Sequence, residues 1–140
     1  MSGRFAIFSH GEQGTPWSGT FPALADVARA ESFEVESVDY RGVVEPEGQL
    51  TRLLNHCRGH QGRLVLVGAG TGAVIATAAA KVLRADGLFL LAPAFYGPAH
   101  ARLDPPVPLC PTTIVHGWRD EFVPVETSLR YAREHGAVLH

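Results

Sequence analysis

Leu64-Val65-Leu66-Val67-Gly68-Ala69-Gly70-Thr71-Gly72-Ala73 decides the fold. An unbroken apolar run, glycines at every second position and then a run of small residues at helical spacing read as a buried strand turning sharply into a helix. Glycines at 68 and 72 let such a turn tighten, because chain segments can approach where no Cβ intervenes. The residue between them, Gly70, stands at the apex of the turn and has no side chain.

Working outward, apolar runs at Phe5–Phe8, Phe33–Val38, Leu64–Val67, Leu88–Leu91 and Thr113–Val115 alternate with helical patterns. Strands separated by helices predict βαβ units and a parallel sheet, and runs without polar alternation predict strands covered on both faces. Phe33–Val38 alternates in part, which suits an edge strand. A stripe of Leu24, Val27 and Ala28 follows Pro22, and a second of Leu50, Leu53, Leu54 and Cys57 is closed by Gly59; both helices are expected to lay one face on the sheet. The almost wholly small and apolar stretch from Thr71 to Arg84 predicts a central helix close against the strands. A last helix, about Pro124 to His135 with Val125, Leu129 and Ala132 inward, precedes a short strand at Ala137–Leu139. The expected architecture is α/β: a minimal doubly wound three-layer sandwich on a mainly parallel sheet of about six strands, in spatial order 2-1-3-4-5-6, with the ligand crevice at the strands' carboxyl ends.

A chain of 140 residues is expected to form one domain, residues 1–140. With 46% hydrophobic and 19% charged residues and a formal charge of −2, it carries no strong field. Basic residues are scattered and Lys81 is the one lysine, so neither nucleic acid nor an anionic membrane is expected as a partner. No basic segment or signal-length apolar stretch precedes Phe5, which predicts a cytoplasmic protein. Cys57 and Cys110 form no Cys-x-x-Cys pair and are read as buried or indifferent thiols. His56, Cys57 and His60 carry donor atoms, but the segment runs past the helix stop at Gly59 and lacks a fourth ligand, so no metal is expected. No cofactor is expected either.

Two motif readings compete at the turn. Gly68-x-Gly70-x-x-Ala73 fits the dinucleotide fingerprint, although it stands in the third βα turn, and the next strand ends Leu90-Leu91-Ala92-Pro93 without the acid that holds the ribose. The spacing of Gly68, Gly70 and Gly72 also resembles the G-x-S-x-G elbow of α/β-hydrolases. Two further segments resemble that family in order and spacing. His116-Gly117-Trp118-Arg119-Asp120-Glu121-Phe122-Val123-Pro124 is similar to its H-G-x-x-D-x-x-V-P segment, and Phe8-Ser9-His10-Gly11-Glu12 to its His-Gly loop. Val38-Asp39-Tyr40-Arg41-Gly42 is similar to its D-x-R-G turn. The resemblance covers nearly the whole chain and points to short bacterial serine hydrolases of the dienelactone-hydrolase-like and small esterase kind.

The resemblance implies that Asp120 is the triad acid, that the backbone N–H groups of Glu12 and Thr71 form the oxyanion hole, and that Gly70 occupies the nucleophile position. His140 is the remaining candidate for the base. Ser9, His10, Gly11, Tyr96 and Trp118 are expected near a pocket bounded by the loops at His10–Trp17, Gly68–Gly72, Pro93–Pro111 and Trp118–Phe122. The stretch from Ala92 to Pro111, with six prolines, would select the ligand. A chain ending soon after Ala137–Leu139 would lack the family's closing C-terminal segment, leaving a sheet face open to a partner or a second copy. Three functions follow: a serine carboxylic-ester hydrolase impaired at Gly70, acting on an ester-like small molecule; a non-catalytic ligand-binding or interaction protein on the same scaffold; or a nucleotide-binding α/β domain.

Overall fold

A computed structural model describes residues 3–97 and 107–140. Its elements run β1 (Gly3–Ser9), α1 (Phe21–Ala30), β2 (Glu34–Val38), α2 (Pro46–Cys57), β3 (Gly62–Ala69), α3 (Thr71–Leu83), β4 (Gly87–Leu91), β5 (Thr112–Val115), α4 (Val125–His135) and β6 (Val138–Leu139). The strands form a six-stranded sheet in the order β2-β1-β3-β4-β5-β6, and each neighbouring pair is parallel. This is the expected α/β architecture, with β2 at an edge.

Right-handed crossovers dictate the layers. The chain moves one way from β1 to β2 and the other way from β2 through β6, so α1 lies on one face and α2, α3 and α4 on the other. The larger core forms on the three-helix face, where Ile7, Leu66, Leu90 and Ile114 of the sheet meet Leu53, Val74, Ile75 and Tyr131. On the opposite face Ala6, Phe8 and Val67 pack with Phe21 and Ala25 of α1.

Two helices seat their predicted apolar stripes only in part: Leu24 and Ala28 of α1 pack against the core and Val125 of α4 is buried. In α1 the buried residues are Phe21 and Ala25, while Val27 is 63% exposed. The helix covers β1 and β2, and Val27 overhangs a groove of about 260 Å³ that it shares with Val65, Val67 and Phe89. Beyond this groove Val115 and Val138 are also exposed. In α4 the buried residues are Val125, Ser128 and Tyr131, while Leu129 and Ala132 are half-buried. The Ser128 hydroxyl is bound to His116, and the Tyr131 ring stacks on Phe95 at 3.9 Å between centroids and 10° between planes. A buried hydrogen bond and a ring stack decide the orientation of α4, and apolar periodicity registers neither.

No helix among the described residues is long and apolar enough to cross a membrane. The Phe95–Tyr131 stack joins the chain after β4 to α4, and Phe95 is only 2% exposed. Phe95→Ala is therefore expected to lower the unfolding free energy by about 3–5 kcal/mol, as burial loss and a cavity combine. Urea unfolding followed by circular dichroism measures this.

Candidate active site

The turn from β3 into α3 has the tightness its glycines predict. A Cβ at Gly72 would lie 2.2 Å from the Ser9 carbonyl oxygen and 2.3 Å from that of His10, and a Cβ at Gly68 would lie 2.5 Å from the Ala73 Cα. Both flanking positions therefore exclude any side chain, because backbone atoms stand where it would be. Gly70 differs. Its φ of +57° and ψ of −123° belong to a conformation that L-residues adopt only under strain, yet a Cβ there would meet nothing within 4 Å. The apex is sterically open and conformationally demanding, and its backbone is anchored on both sides. The Gly70 N–H donates to the Leu91 carbonyl, and its own carbonyl accepts from the N–H groups of Ala73 and Ala94.

Chain-to-chain contact thus accounts for Gly68 and Gly72 without a phosphate. The first helical residue after the apex is Thr71, whose N–H has no carbonyl of its own helix to meet and lies at the positive end of the α3 dipole. Across the turn, Gly11 is packed against the Ala69 carbonyl, 3.2 Å from the place its Cβ would take. The His-Gly loop that carries Glu12 is therefore held beside the elbow.

The same loop is fixed from behind by buried polar groups. The His10 Nδ1 lies 2.8 Å from the Gly11 carbonyl, and the Tyr40 N–H donates to His10 Nε2 at 2.9 Å. Since a carbonyl can only accept and an amide only donate, His10 carries its proton on Nδ1 and none on Nε2. Ser9 is 1% exposed. Its hydroxyl donates to the Gly72 carbonyl at 2.7 Å and accepts from the Tyr40 hydroxyl at 2.8 Å. Burial pushes the Tyr40 phenol well above its ordinary value. Ser9, expected at the pocket, is instead closed in beneath it, its hydroxyl held between the Gly72 carbonyl and the Tyr40 hydroxyl.

Asp120 lies in the loop after β5. Its Oδ1 accepts the Val123 N–H at 2.8 Å and the Phe122 N–H at 2.9 Å. The Val123 amide, then the Phe122 amide and nearby His116, hold the carboxyl below its ordinary value. The second oxygen, Oδ2, is 4.0 Å from His116 Nε2. That histidine is buried and fully engaged: Nε2 donates to the Val123 carbonyl at 2.7 Å, and Nδ1 lies 2.7 Å from the Ser128 hydroxyl. Neither His10 nor His116 therefore has a free nitrogen for proton transfer.

His140 continues the pairing of β6. Its N–H donates to the Ile114 carbonyl and its carbonyl accepts from the His116 N–H, which sets its backbone at the carboxyl edge of the sheet beside the Asp120 loop. Tyr96 has a φ of +64°; its hydroxyl donates to Glu134 at 2.9 Å and Arg130 lies over its ring at 3.8 Å. Trp118 is 75% exposed. His10, Gly11 and Glu12 line a cavity of about 160 Å³ together with Tyr40, Arg41 and Gln49, to one side of the elbow. Asp39 braces this side, gripping Arg41 through both carboxylate oxygens; the guanidinium and the Arg41 amide hold its carboxyl far below its ordinary value. Of the loop expected to close the pocket, residues 98–106 lie outside the described residues.

Sequence reasoning missed one constellation. Glu36 of β2 meets His56 and His60, while Cys57 between them faces the core. Burial first, then the Glu36 charge, pushes the Cys57 thiol up to about 11. Glu36 sits 20 residues before His56, and no local spacing links them.

The elbow predicts an asymmetry among its glycines. Gly72→Ala is expected to cost more than about 4 kcal/mol or prevent folding, whereas Gly70→Ser should fold with a loss of about 1–3 kcal/mol, the cost of its φ. Urea unfolding of both variants decides it. Asp120→Asn is expected to lose about 1 kcal/mol at pH 7, the margin of a charged over a neutral acceptor. A carboxyl held low stabilises above its ordinary value of 3.8, and the benefit fades as pH falls through the lowered folded value. Stability curves of variant and parent should therefore converge in acid.

No family model matches the chain, and no curated protein is significantly similar to it. Solved structures do match. A protein assigned to the alpha/beta hydrolase superfamily from Xanthomonas campestris pv. campestris is 30% identical with a TM-score of 0.85, the match covering 100% of this chain and 85% of that one. An α/β serine hydrolase without a lid, also from Xanthomonas campestris, is 20% identical with a TM-score of 0.79 over 97% of this chain and 69% of its own. Est1E from Butyrivibrio proteoclasticus is 18% identical with a TM-score of 0.82 over 99% and 77% of the two chains. The last two share the fold; with the first, the likeness extends to sequence over the whole of this chain and most of the other, and this chain belongs to the α/β-hydrolase superfamily.

Proposed function

We propose that this chain keeps the scaffold of a serine carboxylic-ester hydrolase and binds an ester-like small molecule at the elbow without turning it over. One observation carries the reading: the apex of a tight, anchored turn is Gly70, with open space where a side chain would stand. Covalent catalysis needs a nucleophile at that apex, a base within hydrogen-bond reach and an acid to orient the base. Asp120 can supply the last as a carboxylate. The Thr71 and Glu12 amides can supply hydrogen bonds to a carbonyl oxygen that gathers negative charge. Nothing at position 70 can attack, and the base position falls to His140 because the nitrogens of His10 and His116 are engaged. Where a nucleophile is removed from such a site, turnover falls by about 10⁶ and a residue of about 10³–10⁴ over water persists from binding and oxyanion contacts. The space over Gly70 then holds a ligand atom or water instead of a hydroxyl.

Hydrolysis of p-nitrophenyl acetate by this chain and by Asp120→Ala tests the chemistry. Equal, near-background rates are expected; turnover that disappears with Asp120 would overturn the reading. Binding is read separately from amide NMR. Adding a short-chain p-nitrophenyl ester is expected to shift the Thr71 and Glu12 resonances in a saturable way, and their indifference would refute binding at the elbow.

A further inference from the structure

We infer that Glu36, His56 and His60 form a mononuclear binding site for a divalent transition-metal ion, with zinc the best fit. The His60 Nε2 lies 2.7 Å and the His56 Nε2 3.2 Å from the same Glu36 oxygen, and the three donor atoms lie within 4.8 Å of one another. Two ligands of one tetrahedral zinc, each about 2.0–2.2 Å from the metal, are about 3.4 Å apart. An ion entering between these atoms therefore asks for shifts of about 1 Å.

Three separate elements deliver the donors. Glu36 projects from the edge strand β2, His56 from the last turn of α2, and His60 from the short connection to β3. The rings are already oriented: His60 packs edge-on against Phe5 at 4.6 Å, and the two imidazoles face each other with planes 29° apart and centroids 5.7 Å apart. All three side chains remain partly exposed, the imidazoles 32% and 20% and the carboxylate 45%, so an ion can enter and water can complete its shell. Two imidazoles and one carboxylate select borderline ions such as Zn²⁺, Co²⁺ or Ni²⁺; Mg²⁺ and Ca²⁺ favour sets of oxygen ligands.

The site is independent of the elbow. His60 precedes the amino end of β3 and Gly70 follows its carboxyl end; eight residues of strand separate them by about 25 Å. A bound ion would pin the edge strand β2 to the end of α2 and to the entrance of β3. Its role is that of a clip, adding ligand bonds to the packing that already holds β2, α2 and β3 together.

The test is titration of the untagged chain at neutral pH with ZnCl₂ by calorimetry and with CoCl₂ by visible absorption, alongside thermal melts. One equivalent per chain and a zinc-dependent rise in Tm are expected. Glu36→Gln and His60→Gln should each weaken binding by more than about tenfold, since loss of even an outer-shell partner costs that much, and abolish the rise in Tm. His140→Gln should bind zinc as the parent does. If either variant fails to fold by circular dichroism, His56→Gln takes its place. Absence of saturable binding, or parental affinity in the Glu36 and His60 variants, would overturn the assignment.

Discussion

Everything at the carboxyl edge of this sheet depends on how closely α3 approaches β1. The Ser9 and His10 carbonyls stand where a side chain on Gly72 would be, and the Ser9 hydroxyl crosses the same gap to the Gly72 carbonyl. This contact admits only hydrogen at position 72 and requires the helix to follow the strand without a connecting loop. It also explains why α3 is built from alanines: Ala73, Ala76 and Ala79 are fully buried, and larger groups would lift the helix from the strands. Once the helix is seated, its first amide and the Gly70 apex face the same edge as the His-Gly loop.

Buried polar contacts then spread from that approach. Tyr40 is the hinge of the network, its hydroxyl on Ser9 and its amide on His10, so the ends of β1 and β2 are locked to each other and to α3. Such fully satisfied buried groups rigidify a site because any displacement leaves one without a partner. A parallel arrangement recurs at the other side of the edge, where His116 joins the Val123 carbonyl to Ser128 and Asp120 gathers the intervening amides. The histidines of the two His-Gly segments, His10 and His116, are thus structural joints.

Much of this is legible in the chain itself. The strands and their order follow from apolar runs and turn residues, and the glycine spacing at 68, 70 and 72 announces the elbow. What periodicity misses is where a polar side chain finds a buried partner. Ser128 and Tyr131 draw the buried face of α4 away from Leu129 and Ala132, with Val125 common to both, because one bonds and the other stacks. Val27 looks like core on a helical wheel, yet among the described residues α1 is the one helix on its side of the sheet and cannot cover β3 and β4 as well. Ser9 reads as a pocket residue because it ends a strand beside the loop, and only the fold reveals that its hydroxyl points beneath the site. Glu36 carries no signal toward His56 and His60, since the three meet only when β2 lies beside α2.

The hydrogen bonds from Gly70 to Leu91, Ala73 and Ala94 belong to its backbone alone, and a serine held in the same conformation would make them too. A glycine codon and a serine codon can differ by a single base. Inheritance of this turn is therefore decoupled from inheritance of its hydroxyl: a lineage can lose the reactive group, or recover it, in one mutational step while the surrounding architecture is transmitted unchanged.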